Sequence, residues 1–164
     1  MPFKTVIRAK LDANDSTAMV EPGTIFEDGA TGKTYKYVLA EDKALANGDV
    51  VEFSDTSGYE VTSDRSGGAS IGRAVAGAAI HTLSDGYYGW IQTRGRHIAL
   101  KVAANVAVAA GAVLIPDPTN DGCVTTAAAG STVVNTEGQR FGFALGADTA
   151  TTSVAGVVIA DLRC

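Results

Sequence analysis

The stretch Val102-Ala103-Ala104-Asn105-Val106-Ala107-Val108-Ala109-Ala110-Gly111-Ala112-Val113-Leu114 decides the fold, because the chain has already spelled it once. Laid over Leu39 to Val51, Ala40 meets Ala103, Ala44 meets Ala107, Ala46 meets Ala109, Gly48 meets Gly111 and Val50 meets Val113. Past the glycine both copies continue with an apolar pair, Val50-Val51 or Val113-Leu114, and then an Asp-bearing loop. Gly58 to Thr62 and Gly122 to Thr125 follow, each carrying Val-Thr a short step after its glycine. Each copy next shows an apolar-Gly-x-Ala-apolar run, Ile71 to Val75 and Phe141 to Leu145. Each closes on an apolar strand after a glycine, Gly89-Trp90-Ile91 and Gly156-Val157-Val158-Ile159. Five features in one order are a duplication, and internal periodicity sets the architecture before any single motif does.

From Lys33 onward short apolar runs alternate with Gly, Asp and Ser clusters at spacings of about 8–12 residues, the pattern of an all-β sandwich or barrel. Alanine is the strongest helix former. The run Val102 to Ala112 is therefore the one helical challenger, but its alternating Val106 and Val108 and the β-branched residues after Gly111 favour a strand followed by a short turn or a single helical turn. The expected fold is all-β: two tandem pseudo-symmetric repeats, residues 33–94 and 95–164, in one small sandwich or barrel-like domain at 33–164. Residues 1–32 lie outside the repeat. Phe3, Ile7 and Leu11 sit opposite Lys4, Arg8 and Lys10 at strand-compatible spacing, which predicts an extended N-terminal arm or an edge strand, the alternative being a strand that folds back to complete the core.

The chain has 164 residues, enough for one domain with a real core. Hydrophobic residues are 46%, charged residues 19%, and the net charge is -5, which argues against nucleic acid as a partner. No apolar run reaches the roughly 20 residues of a membrane span, and Met1 to Arg8 lacks a signal peptide's apolar core. Synthesis in a host cytoplasm is the expectation. Cys123 and Cys164 are the only cysteines, too few for a disulfide framework or a zinc site.

Catalytic signatures fail on context. Gly29-Ala30-Thr31-Gly32-Lys33-Thr34 ends like a phosphate-cradling loop, but its glycines are too close and Thr34 to Val38 reads as strand, not helix. Gly68-Ala69-Ser70-Ile71-Gly72 spells a nucleophile elbow, with Asp85 and His97 following, yet the serine lies in a Ser/Gly loop rather than above a parallel sheet. His81 and His97 have no paired carboxylate nearby in sequence. Asp117-Pro118-Thr119-Asn120-Asp121-Gly122 lacks the spacing of a calcium hand and reads as a turn. No enzyme, metal or cofactor is expected. Arg94, Arg96, His97 and Lys101 form the one basic cluster. The aromatic residues concentrate in the first copy. Tyr87-Tyr88-Gly89-Trp90 is the interface candidate by composition, while a lone tryptophan in a strand is more often core.

The order strand, Ala-Ala-x-x-Ala-x-Ala-x-Gly, apolar pair, loop, Gly-x-x-Val, apolar-Gly-x-Ala resembles the small capsid decoration, or cement, proteins of tailed bacteriophages. Ala103 to Leu114, Ile71 to Val75, Gly86 to Thr93 and their partners in the other copy carry the likeness. The resemblance implies a virion protein on the capsid exterior that binds the major capsid protein of a filled, expanded head, associates with itself, commonly as a trimer, and strengthens the shell. Phe3, Ile7, Leu11, Tyr87, Tyr88, Arg94 and Arg96 are the expected contact residues. The rival expectation is a glycan- or host-surface-binding module of a phage fibre or head appendage.

Overall fold

The computed structural model describes residues 10–65, 74–104, 106–127, 141–147 and 156–164, and of residues 157 and 158 the backbone alone. Among the described residues there are ten strands and no helix: β1 (Ile25–Asp28), β2 (Lys33–Ala40), β3 (Val50–Phe53), β4 (Glu60–Thr62), β5 (Val75–Ala79), β6 (Tyr88–Val102), β7 (Val113–Pro116), β8 (Val124–Thr126), β9 (Gly142–Ala144) and β10 (Gly156–Arg163). The all-β expectation holds.

Strand pairing closes twice. β2 pairs parallel with β4, and the order then runs antiparallel through β3, β5 and β6 back to β2. β6 also pairs parallel with β8, and the order runs antiparallel through β7, β9 and β10 back to β6. Each ring therefore has five strands and one parallel contact at the same place, and β6 belongs to both. A closed ring leaves no unpaired edge. The edge that remains among the described strands belongs to β1, hydrogen-bonded to β2 alone.

The duplicated sequence makes the duplicated turns. Gly48 and Gly111 take φ of 84° and 81°, a left-handed conformation that costs glycine little. Around them the same three hydrogen bonds recur: Asp49 N to Ala46 O and Ala112 N to Ala109 O; Gly48 N to Ala79 O and Gly111 N to Ala144 O; Ala79 N to Asp49 O and Ala144 N to Ala112 O. Ala40 and Ala103 are buried at the start of both turns, and β6 ends at Val102, so the alanine-rich run is loop rather than helix.

One sequence match shifts. Val51 pairs with Gly77 and Leu114 with Gly142, so the partner of Gly142 is Gly77, five residues beyond Gly72. Both glycines lie against a neighbouring backbone: a Cβ at Gly77 would stand 2.6 Å from the Gln92 carbonyl oxygen, and one at Gly142 would run into the Asp161 carbonyl. The repeat boundary drawn at 94/95 falls inside β6, one continuous strand of 15 residues.

Alternation then fills the rings. Val38, Leu45, Val51, Val61, Leu83 and Ile91 make the first core. Leu100, Val102, Leu114, Val124, Phe141 and Leu162 make the second, and Val50 and Ala78 from the first ring's wall join it. Side chains alternate along a strand, so one wall serves both cores. A third cluster sits outside the first ring, where Tyr35, Tyr37 and Trp90 are covered by Leu11, Ala13, Val20 and Phe26. The first-copy aromatics thus form a small outer core under the leader. Residues 10–24 lie along this cluster and β1 is an edge strand on β2, while residues 1–9 lie outside the described residues.

Polar contacts lock the two rings together. Arg65 donates from Nη2 to Glu52 Oε1 at 2.7 Å and from Nη1 to Asp117 O at 2.7 Å, and its backbone N reaches Asp121 Oδ1 at 2.8 Å. The Arg65 and Glu52 side chains are only 6% and 4% exposed, so this pair has little water to fall back on. Lys43 bonds Asp121 at 2.6 Å and Lys101 bonds Asp49 at 2.5 Å. Arg65→Met should cost about 3–5 kcal/mol in a denaturant melt, because it removes a buried cation from a buried carboxylate. Pairing it with Glu52→Gln should cost clearly less than the two single losses added together. Gly77→Ala and Gly142→Ala should each cost about 1–3 kcal/mol or more. Gly29→Ala, at a position where nothing lies within 4 Å of the new methyl, should change stability by less than about 0.5 kcal/mol.

Candidate interaction face

The outer surface of β9, β10 and β6 carries three arginines and three of the five exposed large hydrophobic side chains among the described residues, Met19 and Ile25 lying elsewhere. Along β10, Ala160 and Leu162 are buried while Asp161 and Arg163 turn outward. Register places Arg96 opposite Asp161, Asp161 opposite Phe143, and Arg94 opposite Arg163. Residues paired across strands share a face. Two residues on from Arg96 stands Ile98, 67% exposed, and two on from Phe143 stands Leu145, 53% exposed. The result is a sheet surface of Arg94, Arg96, Arg163, Ile98, Phe143 and Leu145 around one acid.

Electrostatics on this face are unbalanced. Arg163 donates from Nε and Nη2 to Asp161 Oδ2, both at 3.1 Å, and its guanidinium lies 5.1 Å from the Phe143 ring centre. Among the described residues, the Arg94 and Arg96 guanidinium groups have no hydrogen-bond or ion-pair partner. Beside them opens a cleft of about 530 Å³ lined by Gly32, Arg94, Gly95, Asp161, Leu162, Arg163 and Cys164. A smaller hollow of about 230 Å³ lies along the β1–β2 turn, and Arg94 lines both.

The other expected contact residues divide. Phe3 and Ile7 lie outside the described residues. Leu11 packs on the outer aromatic cluster, and Tyr88 stacks on Tyr37 with centroids 6.1 Å apart. Tyr88 also exchanges both backbone hydrogen bonds with Asp15, at 2.8 and 2.9 Å. Both residues therefore hold the leader in place. Tyr87 is half-buried beside them, and of the described members Arg94 and Arg96 reach the exposed sheet face. Trp90 is internal, edge-on to Tyr37 at 5.1 Å. Sequence reading passed over Ile98, Phe143, Leu145 and Arg163. The signal was the alternation Arg94, Arg96, Ile98 in what is now β6, but without the β10 partner it did not specify which side faces water.

The basic cluster of the sequence splits across the strand. Lys101 pairs with Asp49, and His97 is buried, its Nδ1 accepting from Ala99 N at 3.3 Å. Burial holds the His97 imidazole below its ordinary range, against a hydrogen bond to the Ala79 backbone that favours the proton. Asp85 is exposed at the turn before β6. At about 3.3 Å per strand residue it stands roughly 25–30 Å from His97, and Ser70 lies outside the described residues. The two described members of that set do not converge.

Loops singled out in the sequence are held by their own side chains. Asp28 Oδ1 accepts from Ala30 N at 3.0 Å and Oδ2 from Thr31 Oγ1 at 2.5 Å, which makes Gly29 to Gly32 a hairpin turn. Asp117 Oδ1 accepts from Thr119 N and Oγ1 and from Asn120 N and Nδ2, all within 3.0 Å. Burial would raise the Asp117 pKa, but these bonds outweigh it and hold the carboxyl below its usual range. That oxygen is committed to shaping the turn.

No family model matches this chain, and no curated protein is similar to it in sequence. The class its topology defines is an all-β protein of two closed five-stranded rings with a shared strand. Among solved structures it is similar to the head fiber gp8.5 N base of bacteriophage phi29. Identity is 12% and the TM-score 0.48, over 80% of this chain and 99% of that one.

A carboxylate group marks the far side of the first ring. Partial desolvation, then the charges of Glu41 and Asp55 and hydrogen bonds with both, push the Glu60 pKa up to about 7 from 4.5. Between those values the folded chain keeps a proton on Glu60 that the unfolded chain has released, so Glu60's own contribution to stability falls as pH rises through that window, against the opposite slope of the buried His97. Glu60→Gln should make the slope of melting temperature against pH more positive between about pH 5 and 7, and an unchanged slope would remove Glu60 as a contributor.

Proposed function

We propose that this chain is a non-catalytic structural protein of a tailed-phage head, a decoration protein bound to the capsid exterior through the β6–β9–β10 face. The observation that carries the reading is that face: an exposed sheet surface of arginine, phenylalanine and aliphatic side chains on a scaffold whose described strands, β1 apart, close into two rings. Arginine and aromatic residues are enriched where proteins meet, and lone exposed leucines and isoleucines gain most when a partner covers them together. The resemblance of the repeat to phage cement proteins supplies the class of partner, the major capsid protein. Assembly as a homo-oligomer, a trimer, belongs to the same reading, since many weak, symmetry-related contacts add up through effective concentration.

The glycan-binding alternative needs an exposed aromatic platform. Tyr35, Tyr37 and Trp90 are buried and Tyr88 is stacked beneath the leader, which favours the shell-binding reading. Cosedimentation with expanded, empty heads of its phage tests it. The chain should bind saturably, and Arg96→Glu with Ile98→Asp should weaken binding by about tenfold or more while the melting temperature stays put. Wild-type protein left in the supernatant would end the proposal.

A further inference from the structure

Arg94 and Arg163 stand directly opposite each other on neighbouring antiparallel strands and line the same cleft. Like charges in that position repel, and a fold has no internal reason to keep them there. On the three strands of this face the one described acid, Asp161, is already bonded to Arg163, an exposed pair screened by water, while Glu27 and Asp28 share only the neighbouring hollow with Arg94. Arg96 adds a third guanidinium on the same face, all of it on a chain of net charge -5. Three guanidinium groups thus face one carboxylate on these strands. An anion entering the cleft would relieve the repulsion and give Arg94 the partner it lacks among the described residues.

We propose that the β6–β9–β10 face is a receptor for an acidic polypeptide segment, with a carboxylate of the partner clamped between Arg94 and Arg163 and its apolar side chains laid over Ile98, Phe143 and Leu145. The planar guanidinium matches a carboxylate through two parallel hydrogen bonds, which fixes orientation as well as charge. The apolar neighbours separate the candidates. A peptide brings aliphatic or aromatic groups alongside its carboxylates, whereas a sulfated glycan or a phosphate backbone would leave Ile98 and Leu145 in contact with water. The inference stands on the cleft and its register, and it goes beyond head binding because it holds whichever protein carries the segment.

Fluorescence anisotropy with a labelled peptide of repeated Glu-Glu-Leu, its Gln-Gln-Leu counterpart and a heparin oligosaccharide tests it on the full chain. The acidic peptide should bind with an affinity that falls as salt rises. The glutamine peptide should bind about tenfold or more weakly, and Arg94→Ala with Arg163→Ala should lose a similar factor at unchanged melting temperature. Arg94→Lys, which keeps charge but not the fork, should fall between wild type and the alanine variant. Equal binding of the two peptides, no effect of the double alanine variant, or tighter binding of heparin than of the acidic peptide would each overturn the proposal. Head binding that persists in a variant that no longer takes the peptide would overturn the carboxylate clamp as the means of docking and leave the decoration role standing.

Discussion

Backbone hydrogen bonding along β6 is the constraint on which the structure rests. Its first half is paired with β2 on one side and β5 on the other, and its second half with β10 and β8, so its N–H and C=O groups are shared between two rings. Buried backbone groups must find partners, and a strand paired from end to end by β2 and then β10, with β5 and β8 fixing it at Ile91–Gln92 and Val102 on the other side, resists slipping. Every later feature inherits that register: the crowding at Gly77 and Gly142, the shared wall of Val50 and Ala78, and the row in which Arg96, Asp161 and Phe143 stand side by side.

Local chemistry was legible in the sequence wherever a residue's own backbone set the structure. Gly48 and Gly111 were matched by spacing, and they take the same left-handed turn with the same three hydrogen bonds. Glycine and alanine at a turn are read by short-range sterics, which a sequence pattern records. The match of Gly72 to Gly142 failed because both stand in similar apolar-Gly runs. What distinguishes Gly77 is a carbonyl oxygen of Gln92, many residues away, pressing on it from the next strand. No local pattern carries that information.

The exposed face was legible only in part for the same reason. Arg94 and Arg96 were chosen as cations, and they do reach the surface. His97 and Lys101, grouped with them by sequence, turn to the interior and to Asp49. Phe143, Leu145 and Arg163 come from the other end of the repeat, brought alongside by antiparallel pairing with β10. Likewise the aromatic residues of the first copy looked like contact groups because tyrosine and tryptophan favour half-wet sites. The leader covers them instead, and Tyr37 and Asp15 are joined at 2.9 Å beneath it.

Sharing one strand has a price in evolvability. Two rings of five positions are filled by nine strands, β2 to β10, so neither half retains a full set once the other is removed. Excising either copy would open the survivor's ring and expose a raw edge to its neighbours. The two halves are therefore one folding unit, and the side chains free to change without opening a ring are the outward ones that border the seam.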